Sequence, residues 1–264
     1  MPLIDTHAHV FSNEADFVTN ARYKPSDTAS AEDYIQQLDA NGFNQGVLIQ
    51  PSFLGTDNSY MLSAIASYPD RLKGVAVVDR DVTLSTLKGL ADQGIVGIRL
   101  NLFGLDCPDL TKPDWQALLT KLTDVNFQIE LHAPPAYLVR LLPNLQQYPI
   151  DVVIDHFGRF DPTLGVNDPD YQALLKLLDP KQHWVKVSGY YRVDKSGVQN
   201  AVDAFALLKQ IGLQDHLLWG SDWPHTQHET ISFDKALDNF KRIVNDDKLV
   251  TQILIKNNAA LFGF

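Results

Sequence analysis

The sequence predicts one (β/α)8 barrel over residues 1–264. Three observations point to it. Short, near-continuous apolar runs rich in β-branched residues recur eight times, the pattern of parallel strands covered on both faces. Amphipathic stretches separate these runs, with no Pro/Gly-rich linker to mark a second domain. Eight units across 264 residues average 33 each, close to the βα repeat of a barrel. A doubly wound open sheet would share the alternation, but no G-x-G-x-x-G follows any strand.

The expected strands are Leu3–His7, Gly46–Gln50, Gly74–Val78, Val96–Leu100, Gln128–His132, Val152–His156, Trp184–Ser188 and Leu217–Ser221. Between them, Ser30 and Asp33 form a capping signal before Tyr34, Ile35 and Leu38, which share one helical face. Gly42 is the expected stop. Pro113 opens a second helical segment in which Trp115, Leu118, Leu119 and Leu122 follow i, i+3, i+4, i+7 spacing. Leu174, Leu175 and Leu178 repeat the stripe before Pro180. Such stripes read as helix faces packed on a barrel.

Composition narrows the function classes. There are 22 Lys+Arg against 32 Asp+Glu, a net charge of −10, with 45% apolar and 20% charged residues. That balance fits a compact fold and argues against a general nucleic-acid or anionic-membrane binder, since both polyanions would be repelled. The expected partner is a small molecule. The one cysteine, Cys107, excludes an internal disulfide framework and a Cys-based zinc cage. Asp106 and Asp109 beside it are expected to raise its thiol pKa and make it a poor nucleophile. The opening MPLIDTHAHV lacks a basic region followed by an apolar one, and no apolar run reaches membrane-spanning length. The expectation is a soluble, cytoplasmic protein.

The candidate chemistry gathers at the C-terminal ends of the strands, the rim where barrel enzymes place catalytic groups. His7 and His9 close the first strand and, two residues apart, project to one face. His132 and His156 end the fifth and sixth strands, and His225 and His228 follow the eighth. His183 and His216 precede the seventh and eighth strands, which assigns them to the opposite rim and to structural roles. Asp222 follows the eighth strand, where a carboxylate beside neutral or metal-bound imidazoles can act as a general base toward water. Asp5 reads equally well as a support for His7 or as a structural residue. Arg99, Arg159 and Arg192 follow the fourth, sixth and seventh strands; a guanidinium fork binds carboxylate bidentately. Tyr190 and Tyr191 are further hydrogen-bonding candidates. No G-x-S-x-G elbow supports a serine triad.

Ile4-Asp5-Thr6-His7-Ala8-His9, Ile154-Asp155-His156-Phe157-Gly158 and Trp219-Gly220-Ser221-Asp222-Trp223-Pro224 together resemble the amidohydrolase superfamily. They are most similar to its branch of pyrone-dicarboxylate and sugar lactonases. Asn257-Asn258-Ala259-Ala260-Leu261-Phe262-Gly263 resembles the closing helix of that group. The resemblance implies a distorted TIM barrel that opens a lactone, or a related carboxylic ester, of a small carboxylated or sugar-acid substrate. It implies Asp222 as the base for water, with His7, His9 and His156 polarising the carbonyl. Arg99, Arg159, Arg192, His225 and Tyr190 would bind the substrate. Two versions stay open: one zinc ion held by His7, His9, His132 and Asp222, as in the metal-dependent hydrolases, or a metal-free mechanism. A zinc-dependent decarboxylase of the same superfamily and a non-catalytic small-molecule-binding barrel are the rival readings. The pyrone lactonases carry an additional arginine a few residues beyond the fourth strand, where this chain has Phe103, Gly104 and Leu105. A sugar-acid or muconate-type lactone therefore stands beside a dicarboxylated pyrone.

Overall fold

A computed structural model describes residues 2–19 and 21–264. Its centre is an eight-stranded parallel sheet in which each strand pairs with the next in sequence. The strands are β1 (Ile4–Ala8), β2 (Gln45–Ile49), β3 (Leu72–Ala76), β4 (Ile95–Asn101), β5 (Gln128–His132), β6 (Val152–Ile154), β7 (His183–Lys186) and β8 (Leu217–Leu218). All eight expected strands are present, β3 starting two residues early.

Three strands are shorter than their apolar runs suggested, β7 by one residue and β6 and β8 by more. β6 stops at Ile154 and β8 at Leu218, so His156 lies beyond its strand end rather than on it, and Asp222 lies four residues past β8. At β6 the cause is local. His156 has φ +47° and Asp222 φ +63°, a left-handed backbone that no strand accommodates. Non-glycine residues in that region cluster at functional sites, where surrounding structure holds the strain in place.

No ladder joins β8 to β1 among the described residues, yet the barrel closes there. The amide of Thr6 donates to the Trp219 carbonyl at 3.2 Å, that of Asp222 to His7 at 2.8 Å and that of His9 to Trp223 at 2.8 Å. Close approach requires Gly220, because a Cβ at that position would stand 2.4 Å from the His7 backbone nitrogen. Below this seam the Asn258 amide donates to the carbonyls of Ile4 (2.7 Å) and Trp219 (3.2 Å), bridging first strand to last. Asp5 lies inside the seam. Its carboxylate accepts from the Ser221 amide and hydroxyl, both at 2.7 Å, and from the Tyr34 hydroxyl at 2.9 Å. Burial raises its pKa to about 6 against those three donors.

The helices cover the outside of the sheet in chain order: α1 (Ala31–Ala40), α2 (Ser59–Ser67), α3 (Leu84–Asp92), α4 (Pro113–Asp124), α5 (Pro135–Leu145), α6 (Pro169–Leu175), α7 (Gln199–Gln210) and α8 (Phe233–Val244). After them, α9 (Asp247–Thr251) runs through a π-helical turn into α10 (Asn258–Phe262). The capping box of α1 forms as expected, with Ser30 accepting from the Asp33 amide and Asp33 accepting from Ser30. In α4 the stripe Trp115, Leu118, Leu119 and Leu122 is buried. The third stripe is cut short, since α6 ends at Leu175 and leaves Leu178 outside the helix. His183 and His216 sit at the opposite rim: His183 Nδ1 accepts from the Asp179 amide, and His216 packs on Trp184. No helix among the described residues is long and apolar enough to cross a membrane.

Candidate active site

Alternate polar positions on otherwise apolar strands build the site. On β1 these are Asp5 and His7, with His9 just beyond; on β4, Arg99 and Asn101; on β5, Glu130 and His132; around the end of β7, Lys186 and Ser188. Period-two geometry sends each set to one side of the sheet, and all but Asn101 are buried.

Asp222 is held on one side only. Its Oδ2 accepts from Arg192 Nε at 2.6 Å and from the Tyr191 hydroxyl at 2.7 Å. Its Oδ1 is buried without a hydrogen-bond partner. Three imidazole nitrogens surround that atom, Nε2 of His7 at 3.8 Å and Nε2 of His9 and His156 at 3.9 Å. Burial pushes the Asp222 carboxyl up, but Arg192, His156 and His7 outweigh it and hold it well below the usual carboxylate range. The imidazoles are pushed the other way. Burial lowers His9 to about 4, aided by Arg99. It lowers His156 to about 3 against Asp222 and Asp155, and it lowers His7 and His132 well below 6.5. Near neutral pH the site therefore holds an ionised Asp222 among neutral histidines.

Beneath this layer lies a fully buried set of charges. Arg99 donates to Asp155 Oδ2 through Nη2 at 2.7 Å and through Nε at 3.2 Å. Lys186 Nζ donates to Glu130 Oε2 at 2.7 Å and stands 3.0 Å from His7 Nδ1. The two carboxyls compete for two cations. Burial opposes ionisation of both, yet Arg99, with Lys186 beyond it, holds Asp155 well below its usual range. Burial and Asp155 leave Glu130 raised, to about 8. Removing one partner from such a buried set leaves an uncompensated charge, at a cost of roughly 3–5 kcal/mol.

Above Asp222 is a cavity of about 90 Å³, lined among others by His9, Arg22, Arg99, His132, His156 and Asp222. Three of the expected substrate contacts already have partners within the protein, though Arg99 and Arg192 also line the cavity. Arg99 is paired with Asp155, Arg192 with Asp222, and the Tyr190 hydroxyl accepts from Asn239 at 3.1 Å. Tyr191, not Tyr190, reaches the site, its hydroxyl lying between Asp222 and His225 Nδ1 (3.1 Å). Arg159 stacks over Phe103, whose ring packs on His132. Arg22 is a cation that sequence reasoning missed. It arrives from the loop after β1, lines the cavity and donates to Asn101 at 3.1 Å. Among the described residues neither Arg22 nor Arg159 forms an ion pair.

Lys186, Glu130 and Arg22 were all unmarked in the sequence reading. For the first two a signal existed: an ionisable residue midway along an apolar strand, in Gln128-Ile129-Glu130-Leu131-His132 and Trp184-Val185-Lys186-Val187. Buried charges of that kind have to be paired. Arg22 has no such signal, because it lies in an irregular loop. Cys107 stands apart from this chemistry. Its thiol is raised as expected, but by burial, with Arg140 pulling the other way, and not by Asp106 and Asp109.

By spacing alone, His7, His9 and Asp222 could hold one metal ion, their ligand atoms lying within 4.8 Å of one another; a second such group is His7, Asp155 and His156. His132 joins neither. The donor chemistry does not fit an ion at His7. A metal needs the imidazole lone pair on Nε2, and the Lys186 ammonium, which can only donate, stands against Nδ1 of the same ring.

An amidohydrolase family profile matches residues 4–264. The chain belongs to the amidohydrolase family. It is a hydrolase, as the relatives of 30% identity or more are named. Two curated relatives share 30% identity over 98% of this chain: the 4-sulfomuconolactone hydrolase of Hydrogenophaga intermedia, of which 88% is covered, and the 2-pyrone-4,6-dicarboxylate hydrolase of Comamonas testosteroni, of which 89% is covered. A solved structure from Acinetobacter baumannii, described as a probable 2-pyrone-4,6-dicarboxylic acid hydrolase with citric acid bound, is 53% identical. It superposes with a TM-score of 0.99 over the whole of both chains. The amidohydrolase barrel expected from the sequence is the fold observed.

Proposed function

We propose that this amidohydrolase opens the lactone ring of a small anionic substrate by metal-free hydrolysis, with Asp222 as the base for water. The observation that carries the reading is the asymmetric Asp222 carboxylate: Oδ2 is locked by Arg192 and Tyr191, while Oδ1 is buried, ionised and free. Relatives at 30% identity named for the hydrolysis of a sulfonated muconolactone and a pyrone dicarboxylate support the substrate class.

The chemistry follows from the charges. Water gives a proton to Asp222 Oδ1 as its oxygen bonds to the lactone carbonyl carbon. Negative charge passes to the carbonyl oxygen, which needs a preorganised donor. The ring C–O bond then breaks, Asp222 returns the proton to the leaving oxygen as a hydroxyl or enol, and the new carboxylic acid, which keeps the water's second proton, releases it to solvent as a carboxylate. A carboxylate held well below its usual pKa is a weak base, so electrophilic activation of the carbonyl has to carry much of the barrier. Arg22 and Arg159, without acidic partners among the described residues, would supply the cationic side on which a substrate carboxylate or sulfonate rests.

The test is a panel of carboxylated and sulfonated lactones assayed with wild type and Asp222→Asn. Loss of a general base costs about 10²–10⁴ in rate, and a fall of that size on at least one lactone is expected. Equal, negligible rates for both proteins across the panel would instead favour a binding protein. Carbon dioxide release from a carboxylated substrate would favour a decarboxylase.

A further inference from the structure

The residues beneath the His7–His9 pair are not equivalent. His9 Nδ1 lies 2.7 Å from the Ile49 backbone carbonyl. A carbonyl oxygen only accepts, so the ring proton of a neutral His9 sits on Nδ1 and Nε2 keeps its lone pair. His7 Nδ1 lies 3.0 Å from Lys186 Nζ. An ammonium has three N–H donors and no lone pair, so that contact is favourable only if Nδ1 is the acceptor and the ring proton sits on Nε2. The other atoms near His7 Nδ1 are Asp155 Oδ1 at 3.4 Å and Glu130 Oε1 at 3.5 Å, both beyond normal hydrogen-bond length. Lys186 is fully buried and anchored by Glu130, so its position is fixed before substrate arrives.

We propose that the two histidines are locked in opposite tautomers, His7 as an Nε2–H donor by Lys186 and His9 as an Nε2 acceptor by the Ile49 carbonyl, and that this divides their work. The assignment rests on the lactone-opening reading above for its catalytic meaning, though not for the tautomers themselves. The attacking water has two protons to place and finds two acceptors, Asp222 Oδ1 and His9 Nε2, which turn its oxygen lone pair outward to the carbonyl carbon. The carbonyl oxygen needs a donor and finds His7 Nε2–H, an atom now buried without a partner. His9 thus orients the nucleophile and His7 stabilises the developing oxyanion. Lys186 is a positioning residue that acts through His7.

Two-bond ¹H–¹⁵N correlation spectra of histidine-labelled protein report the tautomer of each ring, with His7→Gln and His9→Gln used for assignment. The expected wild-type result is Nε2–H for His7 and Nδ1–H for His9. Finding both rings in one tautomer overturns the proposal. In Lys186→Met, paired with Glu130→Gln so that no carboxylate is left without its cation, His7 should move to the Nδ1–H form while His9 stays unchanged. kcat should drop roughly a hundredfold, the effect of losing one oxyanion donor, with KM changed less than about threefold. An unchanged His7 tautomer, or a drop confined to KM, removes Lys186 from this role. The wild-type spectrum decides the tautomers even if the double variant does not fold. Correct tautomers in a protein that opens no lactone would sink the lactone reading and leave the assignment standing.

Discussion

At the scale of single residues, the site works by withholding partners. Arg99 and Arg192, two arginines that the sequence offers for substrate, line the cavity while paired with Asp155 and Asp222, whereas Arg22 lines it with no ion-pair partner among the described residues. Arg22→Met should therefore raise KM for a carboxylated lactone about tenfold or more, equivalent to losing a charged hydrogen bond of about 1.5 kcal/mol. An uncharged lactone should respond little; equal effects on both would place Arg22 outside the recognition site. The titration of the same residues sets the acid limb of the pH profile. Asp222 stays ionised far below neutrality, and His9, with a pKa of about 4, loses its acceptor lone pair only as pH falls through that value. kcat/KM should stay level from neutral pH down to about 5 and decline below it. A decline centred near 6.5 would mean that an ordinary solvated histidine controls the reaction.

At the scale of elements, the strands were legible because apolar runs of four to six residues are hard to mistake, and the capping box of α1 and the leucine stripe of α4 were equally plain. Val152–His156 and Leu217–Ser221 read as strands through hydrophobicity, but His156 takes a left-handed backbone, and past Leu218 the chain turns its hydrogen bonds to the β1 seam. The seam is invisible in sequence for a related reason: closure between β1 and β8 depends on pairs more than 200 residues apart. Gly220 is its tightest point. Gly220→Ala would drive a methyl into the His7 backbone, prying apart the two segments that carry His7 and Asp222. A melting temperature lower by at least about 5 °C is expected, the shift that roughly 2 kcal/mol produces in a chain of this size, together with a loss of activity. Full retention of both would mean that the seam tolerates separation.

For the whole molecule, the net charge of −10 described the surface and said little about the interior, where cations crowd the cavity. That contrast keeps polyanions away while leaving room for a small acid. The histidine and aspartate set was readable from its rim placement, and its likeness to the amidohydrolases was readable from three motifs. Whether those groups serve a metal was not readable, because the metal-free proposal leans on the Nζ of Lys186, which no motif marks. Metal-free hydrolysis predicts less than about 0.1 zinc per chain in purified protein and unchanged turnover after prolonged chelation. Stoichiometric metal, with activity restored only by its return, would refute it.

Joining the first strand to the last has a consequence for biosynthesis. His7 and His9 emerge from the ribosome early, but Asp222, Ser221 and Asn258, which complete and clamp their surroundings, emerge near the end. Contacts at such sequence separation form late and slowly. A nascent chain arrested between β7 and β8 carries both histidines and Lys186 but lacks Asp222, the base of the proposed mechanism. Under the proposed mechanism, competence is thus gained in a single late step, when β8 and the segment after it dock against β1.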